Sequence, residues 1–263
     1  MNCGQGIKEN SMFLQVKDLV KEYKVKKLFK SEKKIVLNKV SFQVEEGEIF
    51  SIVGGSGAGK STIGKILLQI EKIDSGEVIF RDRPLSETKI SDIQMIFQDP
   101  YSSLNPEMKV KDLLAEPLRA VGIKDKKIIE KKVDHIMEEV WLDKIHKDRY
   151  PDELSGGQRQ RVGIGAAMIV NPKLVVCDEP VASLDLSIQN QILSLLKKFN
   201  RENKTTIIFI SHDLGVVYNI SDRVLLLQNG EVQEIQETEE FFKNPKSEYG
   251  KIFLQGIEKY MKK

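Results

Sequence analysis

A glycine-rich loop constrains the fold of this chain more than any other feature of its sequence. The loop runs from Gly54 to Ser61, reads Gly-Gly-Ser-Gly-Ala-Gly-Lys-Ser and fits the pattern G-x-x-x-x-G-K-[ST]. A short apolar run at 49–53 precedes it, and a helical pattern follows it to residue 71. Glycines let backbone N–H groups wrap around phosphate oxygens, and the following helix directs its positive dipole end at the anion. The sequence therefore predicts a strand, a nucleotide phosphate loop and a helix.

Two side chains at the end of this loop have predicted roles in phosphate chemistry. The ammonium group of Lys60 supplies a mobile positive charge for the β- and γ-phosphates, and the hydroxyl of Ser61 is placed to bind Mg²⁺. The motif by itself indicates only a nucleotide, because kinases and GTPases also carry it. The residues predicted to bind the nucleotide are Gly54, Gly55, Ser56, Gly57, Ala58, Gly59, Lys60, Ser61 and Thr62.

The composition is that of a globular protein, and it argues against a disulfide-rich or membrane-spanning chain. Of 263 residues, 40% are hydrophobic and 30% are charged, and the net charge is only +2. Such a balance provides no bulk attraction to nucleic acid. Two cysteines, Cys3 and Cys177, are too few for a disulfide framework, and no apolar run reaches the roughly 20 residues that span a bilayer. The polar segment 1–11 lacks the apolar stretch of a signal peptide and is predicted to be a disordered leader.

Short apolar segments that alternate with helical patterns predict a parallel α/β sheet. The Lys-rich segment 21–34 is predicted to be a surface loop, with contact to lipid or a partner as the alternative. Helical periodicity covers 111–137, with breaks expected at Pro117 and Gly122, and an amphipathic helix is expected at 188–199. The predicted strands are 12–20, 36–44, 49–53, 76–80, 173–177, 205–210, 222–228 and 231–235, the last two joined as a hairpin at Asn229-Gly230.

Two acids follow the predicted strand at 173–177 and form a second candidate site. If this strand ends beside the phosphate loop, Asp178 lies near the Mg²⁺, directly or through water. Glu179 is one residue further along and can polarise the attacking water as a general base. The alternative is a solvated acidic turn. Cys177 is expected to face the core, where it acts as a small buried hydrophobic residue.

A second candidate anion site lies at 154–158, which reads Leu-Ser-Gly-Gly-Gln. Ser155 is a favourable N-cap, and Gly156 and Gly157 leave backbone N–H groups exposed at the start of a helix. This segment resembles the signature motif of the ATP-binding-cassette (ABC) ATPases. The resemblance to that family covers residues 13–235, because other motifs occur in the expected order.

Those other motifs give the resemblance its detail. Tyr23 resembles the aromatic residue that stacks on adenine, and Gln98 resembles the Q-loop glutamine. Ser183-Leu184-Asp185 resembles the D-loop, and His212 resembles the switch histidine. The resemblance implies catalytic roles for Gln98, Glu179 and His212, and Mg²⁺ binding by Ser61, Gln98 and Asp178.

The resemblance also implies an architecture. It is an α/β fold, the ABC-type P-loop ATPase, with a RecA-like parallel-sheet core, an antiparallel β subdomain and an α-helical signature subdomain at about 99–160. The nucleotide-binding domain is expected at 12–240 and a short C-terminal extension at 241–263. The implied cofactors are ATP and Mg²⁺. Two chains of the family pair head to tail around ATP, so the nucleotide of one chain would meet the partner's Ser155, Gly156, Gly157, Gln158 and Asp185.

A narrower resemblance indicates the biological role. Residues 97–106 and 115–118 are similar to the ATPases of oligopeptide, dipeptide and nickel importers, and 244–249 resemble a shortened form of their C-terminal segment. The implied partners are a second ABC ATPase chain, identical or related, two transmembrane permease subunits and an extracytoplasmic substrate-binding protein, with the chain on the cytoplasmic face of the membrane. Peptide is the expected cargo and nickel or a metal chelate the alternative.

Two readings compete with transport. One alternative is a soluble ABC ATPase with a task other than transport. ABC ATPases of translation usually carry two cassettes, and those of DNA repair carry a long coiled-coil insert, whereas this sequence has one cassette and the segment 98–155 is too short for such an insert. A regulatory module without catalysis would lack Lys60, Glu179 or His212, and all three are present.

Two further features lead to expectations about packing. Tyr101, Leu104 and Met108 look exposed on a turn-rich segment and are predicted to dock the permeases, with a small subdomain core as the alternative. Gly165 and Ala166 stand where the family usually has Ala-Arg. The missing arginine at 166 is expected to weaken hydrogen bonding near the D-loop, and Gly165 costs helix propensity of about 1 kcal/mol. Neither change touches a catalytic group, but slow hydrolysis is expected.

Overall fold

The computed structural model describes residues 13–27, 30–99, 103–182 and 184–261. The predicted leader, 1–11, lies outside this part of the chain, as do Tyr101 and Ser183. None of the helices in the described ranges is both long and apolar enough to cross a membrane.

The larger of two sheets has six strands and forms the centre of the fold. Its strand order is β10-β9-β3-β8-β7-β6; β9, β3, β8, β7 and β6 run parallel, and β10 joins β9 as an antiparallel hairpin. The strands are β3 (Ile49–Gly54), β6 (Ile93–Ile96), β7 (Leu174–Asp178), β8 (Thr206–Ile210), β9 (Arg223–Gln228) and β10 (Glu231–Glu237). The parallel α/β core is therefore confirmed, and β6 is a strand that the sequence analysis missed.

Alternate residues of the central strands supply two separate hydrophobic cores. Val175 and Cys177 of β7 pack into one cluster, and Leu174 and Val176 pack into another on the opposite face. Because both faces are covered, these strands read as continuous apolar runs. Cys177 has no exposed surface, as predicted.

The second sheet has four strands in the order β2-β1-β4-β5, and its described pairs are antiparallel. Its strands are β1 (Leu14–Lys27), β2 (Lys30–Val44), β4 (Ser75–Phe80) and β5 (Arg83–Pro84). Strand β1 lies at the centre of this sheet, because it pairs with both β2 and β4.

The Lys-rich segment 21–34 is not a surface loop, and that prediction was wrong. Strands β1 and β2 stay paired along it, from Lys21 opposite Leu37 to Lys27 opposite Lys30. The paired backbones satisfy each other's hydrogen bonds, so strand pairing outweighs the loop-like composition. Charge neutralisation helps, since Lys33 lies 2.7 Å from the carboxylate of Glu22.

Three described α-helices that lie between β6 and β7 in the chain form a helical unit around the signature segment. They are α2 (Val110–Ala120), α3 (Lys126–Glu139) and α4 (Gly156–Met168). Gly122, in the left-handed region with φ 91°, ends the first of them as predicted. Pro117 lies inside α2 instead of breaking it. It falls in the last turns, where a missing N–H removes only one hydrogen bond of a helix that is about to end.

Asn229 and Gly230 both have positive φ, 50° and 79°, and form the predicted hairpin turn between β9 and β10.

The remaining helices cover the central sheet and the end of the chain. The predicted helix at 188–199 is part of a longer helix, α5 (Leu186–Asn203). The helices are α1 (Lys60–Leu67), α5 (Leu186–Asn203), α6 (Leu214–Ile220), α7 (Thr238–Lys243) and α8 (Glu248–Met261).

Leu104 corrects the prediction of a docking surface at 101–108. Its side chain is only 6% exposed and belongs to the cluster that joins the helical unit to the sheet. Met108 is half-buried against the same cluster. The alternative reading, a subdomain core, holds for these two residues, because apolar side chains beside turn residues fold inward when helices are close enough to cover them.

Candidate functional site

The phosphate loop joins the end of β3 to the start of α1. Lys60, the first residue of α1, is 8% exposed, and its Nζ donates to the carbonyl oxygens of Gly54 at 2.9 Å and Gly55 at 3.1 Å. Gly59 has φ 108°, and a Cβ there would lie 2.6 Å from a methyl carbon of Leu37. Only glycine fits this position, so the loop stays lined by backbone at the N-terminus of a helix.

The charge of Lys60 is partly desolvated. Burial lowers the pKa of its ammonium group, and the carboxylates of Glu179 and Asp178 act in the opposite direction. A buried cation next to backbone donors is a favourable environment for a polyanion, which replaces the lost water with negative charge.

Asp178 and Ser61 bring two oxygen donors together. The Oγ of Ser61 donates to Oδ1 of Asp178 at 3.1 Å. Burial raises the pKa of the Asp178 carboxyl group, and the hydrogen bond from Ser61 opposes that shift. A hydroxyl and a carboxylate are the hard oxygen ligands that Mg²⁺ prefers, and a cation would stabilise the ionised acid. The residues present therefore fit a magnesium site.

Glu179 lies where the ends of three parallel strands meet. Its Oε1 lies 2.9 Å from Nδ1 of His212, which follows β8, and its Oε2 accepts from Nε2 of Gln98 at 3.3 Å, which follows β6. Its backbone is left-handed, with φ 49°, and its N–H donates to the carbonyl of Ile210 at 2.9 Å. A non-glycine residue in this conformation is strained by about 1–3 kcal/mol, which is typical of functional sites.

The structure thus brings together the predicted phosphate-loop, magnesium and catalytic residues. The parallel strands β6, β7 and β8 end on the same side of the sheet, next to the phosphate loop that follows β3. A general base held between an amide and an imidazole, beside a magnesium site and a phosphate loop, is suited to attack by water on a terminal phosphate. The individual roles of these residues stay predictions.

The signature residues form a separate capped helix start. The Oγ of Ser155 accepts from the N–H of Gln158 at 3.3 Å, and Oε1 of Gln158 accepts from the N–H of Ser155 at 2.9 Å. A Cβ on Gly157 would lie 2.7 Å from Ile188, so α4 packs closely on the first turn of α5. Asp185 caps that turn by accepting from the N–H of Ile188 at 3.0 Å. Signature and D-loop are therefore neighbours, and their contact with a partner's nucleotide stays a prediction.

Tyr23 belongs to the part of the β1–β2 hairpin that approaches the phosphate loop. It is paired with Lys34 across the hairpin, and the Nζ of Lys21 lies 5.2 Å from its ring centroid. Two residues beyond Lys34, the carbonyl oxygen of Val36 would lie 3.0 Å from a Cβ on Gly59. Stacking of Tyr23 on adenine stays a prediction.

Sequence reasoning did not place Tyr249 at this site. Its ring packs with Phe253 on a small cluster that includes Val53, the residue before the phosphate loop. A Cβ on Gly55 would lie 3.6 Å from the Tyr249 hydroxyl. A tyrosine so far along the chain carries no local signal for this contact, which depends on how α8 folds back over the sheet.

Comparison with known proteins establishes the family. The sequence profile described as ABC transporter matches residues 37–182, more than half of the chain. The chain belongs to the ABC transporter family. The predicted resemblance is therefore confirmed, and ATP hydrolysis is the activity of this class of ABC ATPase.

Curated relatives of this ABC ATPase are named as oligopeptide transport ATP-binding proteins. This chain is 42% identical over 229 residues to "Oligopeptide transport ATP-binding protein OppF" of Streptococcus mutans serotype c, and the alignment covers 84% of this chain and 74% of the relative. It is 41% identical over 236 residues to "Oligopeptide transport ATP-binding protein AmiF" of Streptococcus pneumoniae serotype 4, covering 86% and 77%.

Solved structures of ABC cassettes confirm the fold class. The dimeric cassette MJ0796, in a post-hydrolysis state bound to ADP and Pi, superposes with a TM-score of 0.76 at 29% identity and covers 86% of this chain and 98% of its own. The cbiO1 protein of Clostridium perfringens, part of the ABC transporter complex cbiONQ, gives a TM-score of 0.77 at 27% identity and covers 96% and 100%.

Proposed function

We propose that this ABC ATPase powers the import of oligopeptides or dipeptides. The observation that carries the proposal is the position of Glu179, held by Gln98 and His212 beside the Ser61–Asp178 pair and the phosphate loop. That arrangement supports hydrolysis of ATP. The peptide cargo is supported by the names of relatives about 40% identical over most of the chain.

Each group has a distinct task in the proposed reaction. Backbone N–H groups of the loop and the ammonium group of Lys60 bind the phosphates of ATP. Ser61, Asp178 and Gln98 would hold Mg²⁺, which neutralises charge on the phosphates. Glu179 orients the attacking water and accepts its proton, while His212 fixes the carboxylate. The signature and Asp185 of a second ABC ATPase chain close the site over the γ-phosphate.

The dimer is the part of the machine that converts hydrolysis into movement. ATP between a phosphate loop and the partner's signature joins two cassettes, and its hydrolysis separates them. Two permease subunits would receive this movement at the cytoplasmic face of the membrane, and an extracytoplasmic protein would deliver the cargo. The scheme includes no contact with nucleic acid, and a net charge of +2 provides no bulk attraction to it.

The permease contact is better assigned to a different surface from the one first predicted. Ile70, Ile90 and Phe97 are large apolar residues that are 61%, 83% and 46% exposed. They border one cleft of about 440 Å³ beside β6, the described edge strand of the central sheet. Phe97 adjoins Gln98, so a permease segment in this cleft would sense the magnesium site. We refer to Ile70, Ile90 and Phe97 as the apolar edge.

Uptake measurements test the cargo. A deletion strain that carries the wild-type chain is expected to import a labelled oligopeptide, and the same strain with Glu179→Gln is not. Nickel uptake measured in parallel covers the alternative cargo. Restoration of nickel uptake without peptide uptake would contradict the peptide assignment. Absence of the tagged chain from the membrane fraction, even with its neighbouring gene products present, would favour a soluble role.

A further inference from the structure

The amide of Gln158, in the signature, has an orientation fixed by two contacts. Its Oε1 accepts from the N–H of Ser155 at 2.9 Å. Its Nε2 therefore points the other way and lies 3.2 Å from Nε2 of His146. An amide nitrogen can only donate, so Nε2 of His146 is the acceptor and the imidazole carries its proton on Nδ1.

His146 is an unusual residue for the place it occupies. His146 is only 8% exposed. Within the part of the chain that the structure describes, its Nδ1 has no hydrogen-bond partner. An unsatisfied polar atom in the interior is costly. Leucine would fill the same space without the cost of an unpartnered polar atom. The presence of histidine therefore indicates a role for its other nitrogen, Nε2, which contacts Gln158.

The turn that carries His146 is held firmly. It is a short helical turn, Lys144–His146, in which Oδ1 of Asp143 accepts from the N–H of Ile145 at 2.9 Å. Just beyond it, the carbonyl of Lys147 accepts from the N–H of Lys111 at 3.0 Å. The imidazole is thus presented from a rigid support attached to the start of α2.

We propose that His146 is a positioning residue for the signature motif. By accepting a hydrogen bond from Gln158, it holds the side chain that caps Ser155 and so fixes the N–H groups at the start of α4. This inference rests on the proposed function, in which those N–H groups contact the ATP of a partner chain. His146 itself touches neither nucleotide nor metal. Its loss should weaken ATP-driven pairing of two chains and leave ATP binding to a single chain intact.

Two substitutions separate positioning from packing. His146→Leu fills the same space, removes the unpartnered Nδ1 and provides no acceptor. His146→Gln places a carbonyl oxygen near the position of Nε2 and restores the acceptor. The matched control is Ile136→Val, a mild change in the hydrophobic cluster of the helical unit.

The measurement is ATP-dependent dimerisation by analytical ultracentrifugation, in a Glu179→Gln background that retains ATP. We expect His146→Leu to weaken dimerisation about fivefold or more, the effect of losing one hydrogen bond. Its Tm and its single-chain affinity for a fluorescent ATP analogue should not fall, and His146→Gln should dimerise nearly as well as the parent.

Dimerisation of His146→Leu at the parent's affinity would overturn the inference. Equal weakening in His146→Leu, His146→Gln and Ile136→Val, in proportion to lost Tm, would also overturn it, because that pattern is one of packing. Failure of the proposed function has a different signature, since the Glu179→Gln parent itself would then not dimerise with ATP.

Discussion

The carboxylate of Glu179 lies 2.9 Å from Nδ1 of His212, although the two residues belong to different strand ends. Glu179 is largely buried, with 18% of its side chain exposed, whereas His212 is 63% exposed. The imidazole therefore closes the solvent side of the carboxylate, and Gln98 contacts its other oxygen at 3.3 Å. A carboxylate held on both oxygens is oriented before substrate arrives, as the predicted role of Glu179 as general base requires.

Replacement of Glu179 by glutamine tests this arrangement. Glu179→Gln keeps the shape and removes the base, so ATP should still bind while phosphate release falls by about 10²–10⁴-fold. The unhydrolysed ATP should also leave more dimer in size-exclusion chromatography. Glu202→Gln, an exposed acid at the end of α5, is the control. Normal hydrolysis by Glu179→Gln would mean that the residue is only an acid at a strand end.

Leu104 is predicted to contribute to stability. Leu104→Ala should lower the free energy of unfolding by about 2–5 kcal/mol, the range for truncation of a buried leucine. Urea denaturation followed by circular dichroism measures this change. Surface substitutions usually change the free energy of unfolding by no more than about 0.5 kcal/mol. A change that small in Leu104→Ala, together with loss of the permease contact, would instead assign Leu104 to the docking surface.

The apolar edge is predicted to contribute to partner binding. Ile90 is 83% exposed, so Ile90→Glu should leave the Tm and basal ATPase activity unchanged. A charge in the cleft should, however, abolish co-purification with the permease subunits. The matched control is Ile252→Glu, because Ile252 of α8 is also exposed, at 64%, and does not line the cleft. Retention of the permeases by Ile90→Glu would place their contact elsewhere.

Two glycines in α4 should respond oppositely to alanine. A Cβ on Gly165 would lie 3.0 Å from the buried Leu114, whereas a Cβ on Gly163 would have no neighbour within 4 Å. Gly163→Ala should therefore raise the free energy of unfolding by about 0.5–1 kcal/mol through helix propensity. Gly165→Ala should lower it by about 1 kcal/mol, because crowding outweighs propensity. Equal stabilisation in both variants would show that Leu114 moves aside without cost.

That comparison changes the interpretation of Gly165. From sequence it is a glycine with poor helix propensity at a position where the family has alanine. In the fold, its missing Cβ lets α4 approach Leu114 of α2, and Ile136 of α3 lies 3.6 Å from the same point. The propensity cost is thus offset by close packing of three helices.

Part of the candidate site could be predicted because it depends on local motifs and on one rule of topology. Parallel strands end on the same side of a sheet, so Asp178 was expected near the phosphate loop. Gln98 and His212 were assigned through family resemblance, since the strand before Gln98, β6, was not predicted. The misassigned features depend on partners distant in sequence. The lysines of 21–34 are stabilised as strands by pairing with each other, and Leu104 is buried by helices that follow it.

His146 shows a different limit of sequence reasoning. It lies in a short turn without periodicity, and its partner Gln158 is reached only after the chain has formed the start of α4. No spacing rule connects the two residues. Contacts of this kind depend on how one element is placed against another, and local sequence does not encode them.

The most direct test of the central claim is a titration with a fluorescent ATP analogue, comparing the wild-type chain with Lys60→Ala. Lys60 is a buried cation at the start of α1, in a loop lined by backbone. We predict saturable binding by the wild type and its collapse in Lys60→Ala, with the fold retained by circular dichroism. Near-wild-type affinity in Lys60→Ala would contradict the assignment of this loop as the ATP phosphate site.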